Sequence, residues 1–392
     1  MTQIDIDRLV GAAQGRAAVP DPDPTAFHSN LELLVESINE EAHLTPAGVD
    51  AASAMLGGAL AKRIEVSWWV DAHSEIRDEP VVEPLFLTGL PRSGTTYFQY
   101  LFDRDPAMRM LRTWEGDRPC PPPGFDPDAA ATRRDEAVEQ ARRMADDPLH
   151  AEIAKRHLTD PDGPQECLAL LDQTFANPGA YWTWSVPTYF DRLLDTVDLR
   201  SCYERHRLEL QLLQWRTEPR RWVLKWPCHL VAMHEILDVY PDARFVVTHR
   251  DPVQALASNA SLTHLLRRYT AEDADPRRIG LEMKDMIHTY ISRLVEFDEA
   301  QAGTGRVVHV DYRRVVDDPE TVMTEVFEAL DMEMTPSVRE SIGEWRRANP
   351  PGKRGTHDYS LEEYGLDARE VAEEYAFYID RFDIPSESTV VP

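Results

Sequence analysis

The chain has 392 residues, of which 69 are acidic and 42 are basic, so its formal net charge is −27. This excess of negative charge argues against binding of nucleic acid or of an anionic membrane surface, because both need a basic face. A hydrophobic content of 42% is enough for a substantial core and excludes a mainly disordered chain. Any anionic ligand must therefore be held by a local cluster of basic residues.

The cysteines and the first residues bear on the compartment. The four cysteines are scattered, with no CxxC pair, so neither a zinc ribbon nor a disulfide scaffold is expected. The opening MTQIDIDRLV carries acids where a signal peptide would be basic. No apolar run approaches the roughly 20 residues that a membrane-spanning helix needs. The sequence thus predicts a cytoplasmic protein without a membrane span.

In chain order, the first predicted elements are helices. Apolar residues recur at spacings of three and four in LELLVESINEEA and AMLGGALAKRIEVSWWV, so residues 1–80 are predicted to form an N-terminal helical cap. Residues 81–392 are predicted to form one α/β domain, in which short apolar runs alternate with helical patterns.

The strand signals of this domain are VVEPLFLTG before residue 90, RWVLKW at 221–226, ARFVVTHR at 243–250 and RVVHVDY at 306–312. A helical insertion at about 115–216 separates the first predicted strand from the second. The predicted fold class is α/β: a three-layer fold of the P-loop type around a central, mostly parallel sheet. Ligands of such folds bind at the carboxyl ends of the strands.

The segment after the first strand has the spacing of a Walker A loop. Gly89 and Gly94 are separated by four residues, and Thr95 and Thr96 follow. Such a loop wraps backbone amides around a phosphate at the start of a helix. Thr95 stands where a kinase or ATPase has lysine, and Arg92 supplies positive charge inside the loop instead. Because no strand ends in a plain Asp that could hold Mg²⁺, the sequence predicts transfer without a metal.

The loop also carries a resemblance to a known family. LTGLPRSGTT resembles the 5′-phosphosulfate loop of sulfotransferases that use 3′-phosphoadenosine 5′-phosphosulfate (PAPS), particularly the bacterial and tyrosylprotein branches. The resemblance implies that PAPS is the co-substrate and that the loop binds it through Pro91, Arg92, Ser93, Gly94, Thr95 and Thr96.

A second motif supports the resemblance independently. RFVVTHRDPVQALASNASL resembles the family's 3′-phosphate motif, in which a strand ends in Arg and the next helix carries Ser eight residues later. Here these residues are Arg250 and Ser258. Asp251 and Pro252 suit the N-cap and the first turn of that helix.

Three further segments extend the resemblance over residues 85 to about 370. RWVLKWPCHL implies that Lys225 reaches the phosphosulfate, and HVDYRRVVDDPE implies that Tyr312 lies near the adenine. PGKRGTHDYSLEEYGL, within a C-terminal segment at about 346–370, is similar to the segment that closes over the 3′-phosphate. The residues implied there are Lys353, Arg354 and Gly355.

Sulfuryl transfer to a hydroxyl needs a general base and cations around the sulfuryl and leaving oxygens. We expect Arg92 and Lys225 to supply the cations. Glu115, in RMLRTWEGD, is the favoured base, because the tyrosylprotein enzymes place Glu in nearly this position once two residues are inserted. A surface acid is the alternative for Glu115, and Glu166 in GPQECLALL is the competing base.

Two histidines also lie beside basic segments, and a histidine is a natural base near neutral pH. His229 in WPCHL and His357 in GTHDYS do not occupy the histidine-base motif of cytosolic sulfotransferases. His229 is expected to be a packed or hydrogen-bonded residue at a strand end.

The stretch GAYWTWSVPTYF at 179–190 either lines a pocket for an aromatic or lipid-like alcohol or forms the core of the helical layer. The predicted function is sulfuryl transfer from PAPS to a hydroxyl or amine of a small-molecule acceptor. The alternatives are a P-loop kinase, which lacks its lysine here, and a nucleotide-binding module without chemistry. The acceptor and the oligomeric state, with a homodimer as one option, stay open.

Overall fold

The computed structural model describes residues 3–147, 152, 160–350 and 360–387. Within them, five strands form one parallel sheet: β1 Leu85–Gly89, β2 Met108–Arg109, β3 Arg221–Lys225, β4 Arg244–His249 and β5 Val307–Asp311, in the order β2-β3-β1-β4-β5. The four predicted strands and the α/β class are confirmed. The edge strand β2 was not predicted, because two residues that pair only with Arg221 and Trp222 leave no pattern in the sequence.

The helices surround this sheet. Their bounds are α1 Ile6–Ala17, α2 His28–Glu41, α3 Pro46–Ala72, α4 Thr95–Phe102, α5 Thr113–Asp117, α6 Pro127–Met144, α7 Leu168–Leu171, α8 Ala180–Thr183, α9 Pro187–Asp195, α10 Leu199–Gln214, α11 Met233–Val239, α12 Pro252–Arg267, α13 Pro276–Ala300, α14 Tyr312–Asp317, α15 Pro319–Ala329, α16 Pro336–Ala348, α17 Ala368–Glu374 and α18 Ala376–Arg381. Short 3-10 turns lie at Ser74–Asp78, Asp172–Thr174, Pro227–Val231 and Leu361–Tyr364. None of the described helices is long and apolar enough to cross a membrane.

Both faces of the sheet are buried, as expected for parallel strands covered by helices. Successive residues of a strand point to opposite faces. Phe86 of β1 therefore packs into a core shared with the helical side, whereas Leu85 and Leu87 pack into a second core with Phe98 of α4 and Phe327 of α15. The result is the three-layer arrangement that the sequence predicted.

The N-terminal helices share the larger of these cores, which includes Leu31 of α2 and Leu60 of α3 as well as Phe86. Arg205 of α10 ties this region to the helical insertion. Its guanidinium donates to Ser67 Oγ at 2.9 Å and to the backbone carbonyl of Arg63 at 3.1 Å. Residues 3–80 thus consist mainly of three helices and a 3-10 turn, and apolar residues of these helices belong to the larger core.

The strand register fixes where functional side chains can meet. β1 lies between β3 and β4, with Leu87 paired to Lys225 and Gly89 paired to Thr248. The carboxyl ends of the three strands therefore lie side by side, with the loop after β1 in the middle. Residues that follow β3 and β4 approach this loop from opposite sides.

Candidate active site

The loop after β1 turns tightly, and two glycines make the turn possible. Gly89 has φ 149°, and a Cβ there would lie 2.4 Å from the carbonyl oxygen of Thr248. Gly94 has φ 79°, and a Cβ there would lie 2.5 Å from Cδ2 of Tyr312. Arg92 also adopts a positive φ, of 71°. A non-glycine residue at either glycine position would push the loop off its neighbours.

The loop leads directly into α4, which has no side-chain cap at Gly94. The unpaired N–H groups of a first helical turn and the helix dipole both favour an anion. The Ser93 hydroxyl is fully buried and turned inward, since it donates to the carbonyl of Leu90 at 2.7 Å and lies 2.7 Å from Thr248 Oγ1. Ser93 therefore braces the loop against β4, and its hydroxyl is engaged inside the protein.

At one end of the loop, a lysine and a carboxylate meet the first turn of α4. Lys225, at the end of β3, donates from Nζ to Thr96 Oγ1 at 2.9 Å and forms an ion pair with Glu166. The Lys225 side chain is 2% exposed and that of Glu166 is 14% exposed. The N–H of Cys167 donates to the carbonyl of Lys225 at 2.9 Å, which holds Glu166 at this point. A cation and an acid thus lie together beside Thr96.

At the other end, the residues of the predicted 3′-phosphate motif come together. Arg92 Nε donates to Ser258 Oγ at 3.1 Å, and Arg250 Nη1 donates to the carbonyl of Arg92 at 2.7 Å. The Arg250 guanidinium lies 4.5 Å from the centre of the Tyr312 ring, the ring that packs on Gly94. Residues far apart in the sequence therefore converge on one side of the loop.

The helix that carries Ser258 begins as the sequence predicted. Asp251 caps α12 by accepting the N–H of Val253 at 2.9 Å, and Pro252 occupies the first turn. Asp251 is buried. This cap fixes the angle at which α12 leaves β4, and so the position of Ser258 relative to the loop.

A residue that sequence reasoning missed also lies at this end. Glu387 forms a two-point ion pair with Arg250, with both nitrogen–oxygen distances at 2.9 Å. Burial by itself lowers the pKa of the Arg250 guanidinium. The hydrogen bonds to Glu387 and the electrostatic interactions with Tyr312 and Glu387 together outweigh burial, so the pKa is raised. No local pattern around residue 387 signals a contact with residue 250.

Glu115, the favoured base in the sequence analysis, is only 5% exposed, so the alternative that it is a surface acid is wrong. One carboxylate oxygen accepts from Arg109 Nη2 at 3.0 Å, and the other accepts the N–H of Arg112 at 3.0 Å in a capping box. Arg109 in turn packs on the Trp222 ring at 4.5 Å. Both oxygens of Glu115 thus hold the local structure together, and its role as base stays a prediction.

The remaining candidates divide into two groups. His229 is fully buried, its Nδ1 lies 2.7 Å from the Tyr203 hydroxyl, and burial, followed by the charges of His206 and Lys225, lowers its pKa well below the ordinary value. It is the packed strand-end histidine that the sequence predicted. Four other candidates lie outside the described residues: Lys353, Arg354, Gly355 and His357.

The aromatic stretch at 179–190 forms core more than pocket wall. Tyr181 stacks on Phe190 with ring centres 4.9 Å apart, and both are buried. The Tyr189 hydroxyl accepts the N–H of Asn177 at 2.7 Å and donates to the carbonyl of Phe175. These contacts match the alternative in which the stretch forms the core of the helical layer.

Within residues 3–147, 152, 160–350 and 360–387, no group of three or more His, Cys, Asp or Glu side chains is arranged to hold a metal ion. Strand β5 does end in Asp311, whose carboxylate accepts the N–H of Arg313 at 2.6 Å, so the expectation that no strand ends in Asp is wrong. Transfer without a metal remains a prediction from the missing loop lysine.

Comparison with known proteins places the chain in a family. The model of the sulfotransferase family matches residues 84–336. The chain is similar to the crystal structure of sulfotransferase STF9 from Mycobacterium avium, with 30% identity, 99% of this chain and 98% of that chain covered, and a TM-score of 0.90. It is also similar to sulfotransferase STF1 from Mycobacterium tuberculosis H37Rv, with 27% identity, coverage of 95% and 99%, and a TM-score of 0.83.

No curated protein matches the chain. The two mycobacterial structures are covered over nearly their whole length, so the likeness includes the N-terminal helices as well as the sheet. These matches do not favour the kinase alternative. The chain therefore belongs to the sulfotransferase family and is a PAPS-dependent sulfotransferase.

Proposed function

We propose that the enzyme moves the sulfuryl group of PAPS to a hydroxyl or amine of a small-molecule acceptor, with the reaction centred on Thr96, Lys225 and Glu166. The observation that carries the proposal is that the Lys225 ammonium contacts both the Thr96 hydroxyl and the Glu166 carboxylate at the open N-terminus of α4. An anion-binding turn, a cation and a proton acceptor are the three requirements of this transfer.

The two ends of the loop would bind the two ends of the donor. The amides of the first turn of α4, with the Thr95 and Thr96 hydroxyls, would hold the 5′-phosphosulfate. At the far side, Arg250 and Ser258 would bind the 3′-phosphate, and Arg92 would bridge the two regions through its bond to Ser258. The Tyr312 ring, packed on Gly94, would then border the adenosine.

Glu166 suits the role of base better than Glu115 does. The carboxylate of Glu166 adjoins Lys225 and Thr96, whereas both oxygens of Glu115 are bound by Arg109 and by the Arg112 amide. To act as base, Glu115 would have to give up a buried ion pair and a helix cap, which together cost several kcal/mol. The Glu166 side chain is 14% exposed against 6% for Glu115, so an acceptor can approach its carboxylate more readily.

In the proposed step, the acceptor oxygen forms a bond to sulfur while the bond from sulfur to the bridging oxygen of the 5′-phosphate breaks. Glu166 takes the proton of the acceptor hydroxyl, and Lys225 stabilises the negative charge on the bridging oxygen that leaves with the nucleotide. As Glu166 becomes protonated its attraction for Lys225 falls, so the positive charge of Lys225 is available to the oxygen where negative charge develops.

The test combines binding and turnover. Adenosine 3′,5′-bisphosphate should raise the melting temperature by a few degrees, because a ligand at 100 times its dissociation constant adds about 2.7 kcal/mol to stability. ADP, which lacks the 3′-phosphate, should do less at the same concentration. Labelled PAPS with a panel of alcohols, phenols, sterols, sugars and amines should then yield a labelled product without added metal. The proposal would be overturned if ADP but not the bisphosphate raised the melting temperature and if the enzyme transferred a phosphoryl group from ATP.

A further inference from the structure

Arg250 has an unusual partner for a residue that faces a phosphate. The Nε–Nη2 edge of its guanidinium is bound at two points by the Glu387 carboxylate, and Nη1 is bound by the carbonyl of Arg92. The Arg250 and Glu387 side chains are 18% and 19% exposed, so the pair is largely shielded from solvent. Ser258, the second residue of the 3′-phosphate motif, is engaged by Arg92. The anion-binding groups are thus satisfied by the protein itself.

The segment that carries Glu387, residues 382–387, is anchored along its length, and we call it the C-terminal strap. Phe382 stacks on His249 with ring centres 4.3 Å apart, and Ile384 is buried. The carbonyl of Ser386 accepts from Arg313 at 2.7 Å, and the N–H of Glu387 donates to Asp251 at 2.7 Å. These anchors hold the strap beside β4 and β5 without using the Glu387 carboxylate.

The strap also borders a cavity of about 240 Å³ next to Arg250. The cavity is lined by residues of the strap together with Arg250, Tyr312 and Arg313. Space for a charged group therefore exists beside the same guanidinium that Glu387 occupies. A carboxylate and a phosphate cannot both lie against one guanidinium edge without strong repulsion between their charges.

We propose that the C-terminal strap is an autoinhibitory device, in which the Glu387 carboxylate occupies Arg250 in place of the 3′-phosphate and is displaced when the nucleotide binds. This inference rests on the proposed role of Arg250 in binding the 3′-phosphate. Part of the binding free energy of the nucleotide is spent on breaking the Glu387 pair, so the affinity is lower than Arg250 alone would give. The same competition favours release of the bisphosphate product, because Glu387 reoccupies Arg250 as the nucleotide leaves.

The central experiment measures the affinity of the full chain for adenosine 3′,5′-bisphosphate and for ADP by calorimetry. Glu387→Gln removes the negative charge and keeps the side-chain shape and the backbone N–H that binds Asp251. It should lower the dissociation constant of the bisphosphate on the order of 3- to 10-fold, which corresponds to the loss of a partly exposed ion pair. The dissociation constant of ADP should not change. The melting temperature of the variant, measured alongside, checks that it is folded.

The matched control is Asp380→Asn. Asp380 is an exposed acid near the end of α18, just before the strap, and it does not line the cavity beside Arg250. No hydrogen bond or ion pair of its side chain occurs among the described residues. The control variant removes the same charge at a similar place in the sequence. Its affinities should match those of the wild type, which would show that the effect of Glu387→Gln comes from the contact and not from net charge.

A double-variant cycle separates failure of the inference from failure of the proposed function. Arg250→Ala should weaken the bisphosphate, and in that background Glu387→Gln should have no further effect. If Arg250→Ala leaves bisphosphate affinity unchanged, the proposed function of Arg250 fails. If Arg250→Ala weakens binding while Glu387→Gln leaves it unchanged or weakens it, Glu387 positions Arg250 and the autoinhibition is wrong. Equal tightening of ADP and bisphosphate by Glu387→Gln would also overturn it.

Discussion

The two ends of the phosphate-binding loop both pair a cation with a carboxylate, but in different settings. At the Thr96 end, Lys225 lies on a sheet strand and is 2% exposed. Its partner Glu166 precedes Cys167, whose N–H donates to the backbone of the same strand. At the Arg92 end, the Arg250 side chain is 18% exposed, and its partner Glu387 lies in the C-terminal strap, which follows α18. The two carboxylates are similarly exposed, at 14% and 19%, but the cation of the first pair is buried on a strand, whereas that of the second is 18% exposed and is paired with the C-terminal strap.

This difference indicates how one loop can serve two tasks. A reacting centre needs groups that stay in position while charge develops, because preorganised dipoles and charges cost no rearrangement during the reaction. A nucleotide-binding end has to release its product, so a carboxylate that exchanges with phosphate is compatible with turnover. We therefore expect changes at the Thr96 end to affect the rate and changes at the Arg92 end to affect nucleotide affinity.

The largest effect is expected for Glu166→Gln. Loss of a general base typically lowers turnover 10²- to 10⁴-fold, and bisphosphate affinity should change little because the nucleotide product does not need the base. The measurement is the rate of labelled sulfuryl transfer to an acceptor found in the panel, beside the bisphosphate dissociation constant.

A control on the acceptor separates a base from a residue that only positions Lys225. A phenol with an acidic hydroxyl needs less help in losing its proton, so the loss of rate for Glu166→Gln should be smaller with that phenol than with an alcohol. Equal losses with both acceptors would make Glu166 a positioning residue. Turnover near that of the wild type would remove it from the reaction.

Lys225→Met is expected to have the next largest effect. Removing one group that stabilises developing charge typically costs on the order of 10²- to 10³-fold in rate. Met retains the length and apolar stem of the side chain, so the core at the end of β3 should remain packed. Lys284→Met, which removes a lysine paired with Glu374 on the surface, is the control and should leave the rate unchanged. A rate loss of similar size in both variants would contradict the role of Lys225.

Arg250→Ala tests the other end of the loop and should act on binding. Loss of a charged hydrogen bond of about 1.5–3 kcal/mol weakens the 3′-phosphorylated nucleotide by roughly 10- to 150-fold, with little effect on ADP. Arg200→Ala is the matched control, because Arg200 is exposed, pairs with Glu204 on the surface and does not line the cavity beside Arg250. If both nucleotides lose affinity to the same extent, Arg250 supports the loop as a whole and does not recognise the 3′-phosphate.

The sequence predicted the elements whose signals are local. Strand β4, the cap at Asp251 and the helix with Ser258 lie within one short segment, and their turn and capping residues have direct physical meanings. The glycines of the loop were equally informative, because only glycine fits where Thr248 and Tyr312 approach the backbone. The edge strand β2 was missed because its two residues are defined by pairing with β3 and not by their own pattern.

The site was harder to predict where partners are distant in the sequence. Glu166 and Lys225 are 59 residues apart, and Arg250 and Glu387 are 137 apart, so no spacing rule connects them. Glu115 was favoured because the resemblance to the tyrosylprotein enzymes places a Glu in nearly this position, yet it turns its carboxylate to Arg109 and the start of α5. Which of several acids meets a cation depends on strand register and on the path of the connecting segments, and these are properties of the folded chain.

The smallest effect on turnover is expected for Glu115→Gln. Unlike Glu166 and Glu387, Glu115 lies at neither end of the phosphate-binding loop. Loss of its charge leaves the buried Arg109 without its carboxylate partner and weakens the cap of α5, so the free energy of unfolding should fall by about 1–3 kcal/mol. Turnover below the melting transition should fall less than tenfold, since Arg109 lies between Glu115, Leu213 and Thr217 and not at the loop. Chemical denaturation and the transfer assay, run beside Glu136→Gln as the surface control, measure the two effects. If turnover instead collapses while stability is retained, Glu115 is the base, and Glu166 serves to hold Lys225.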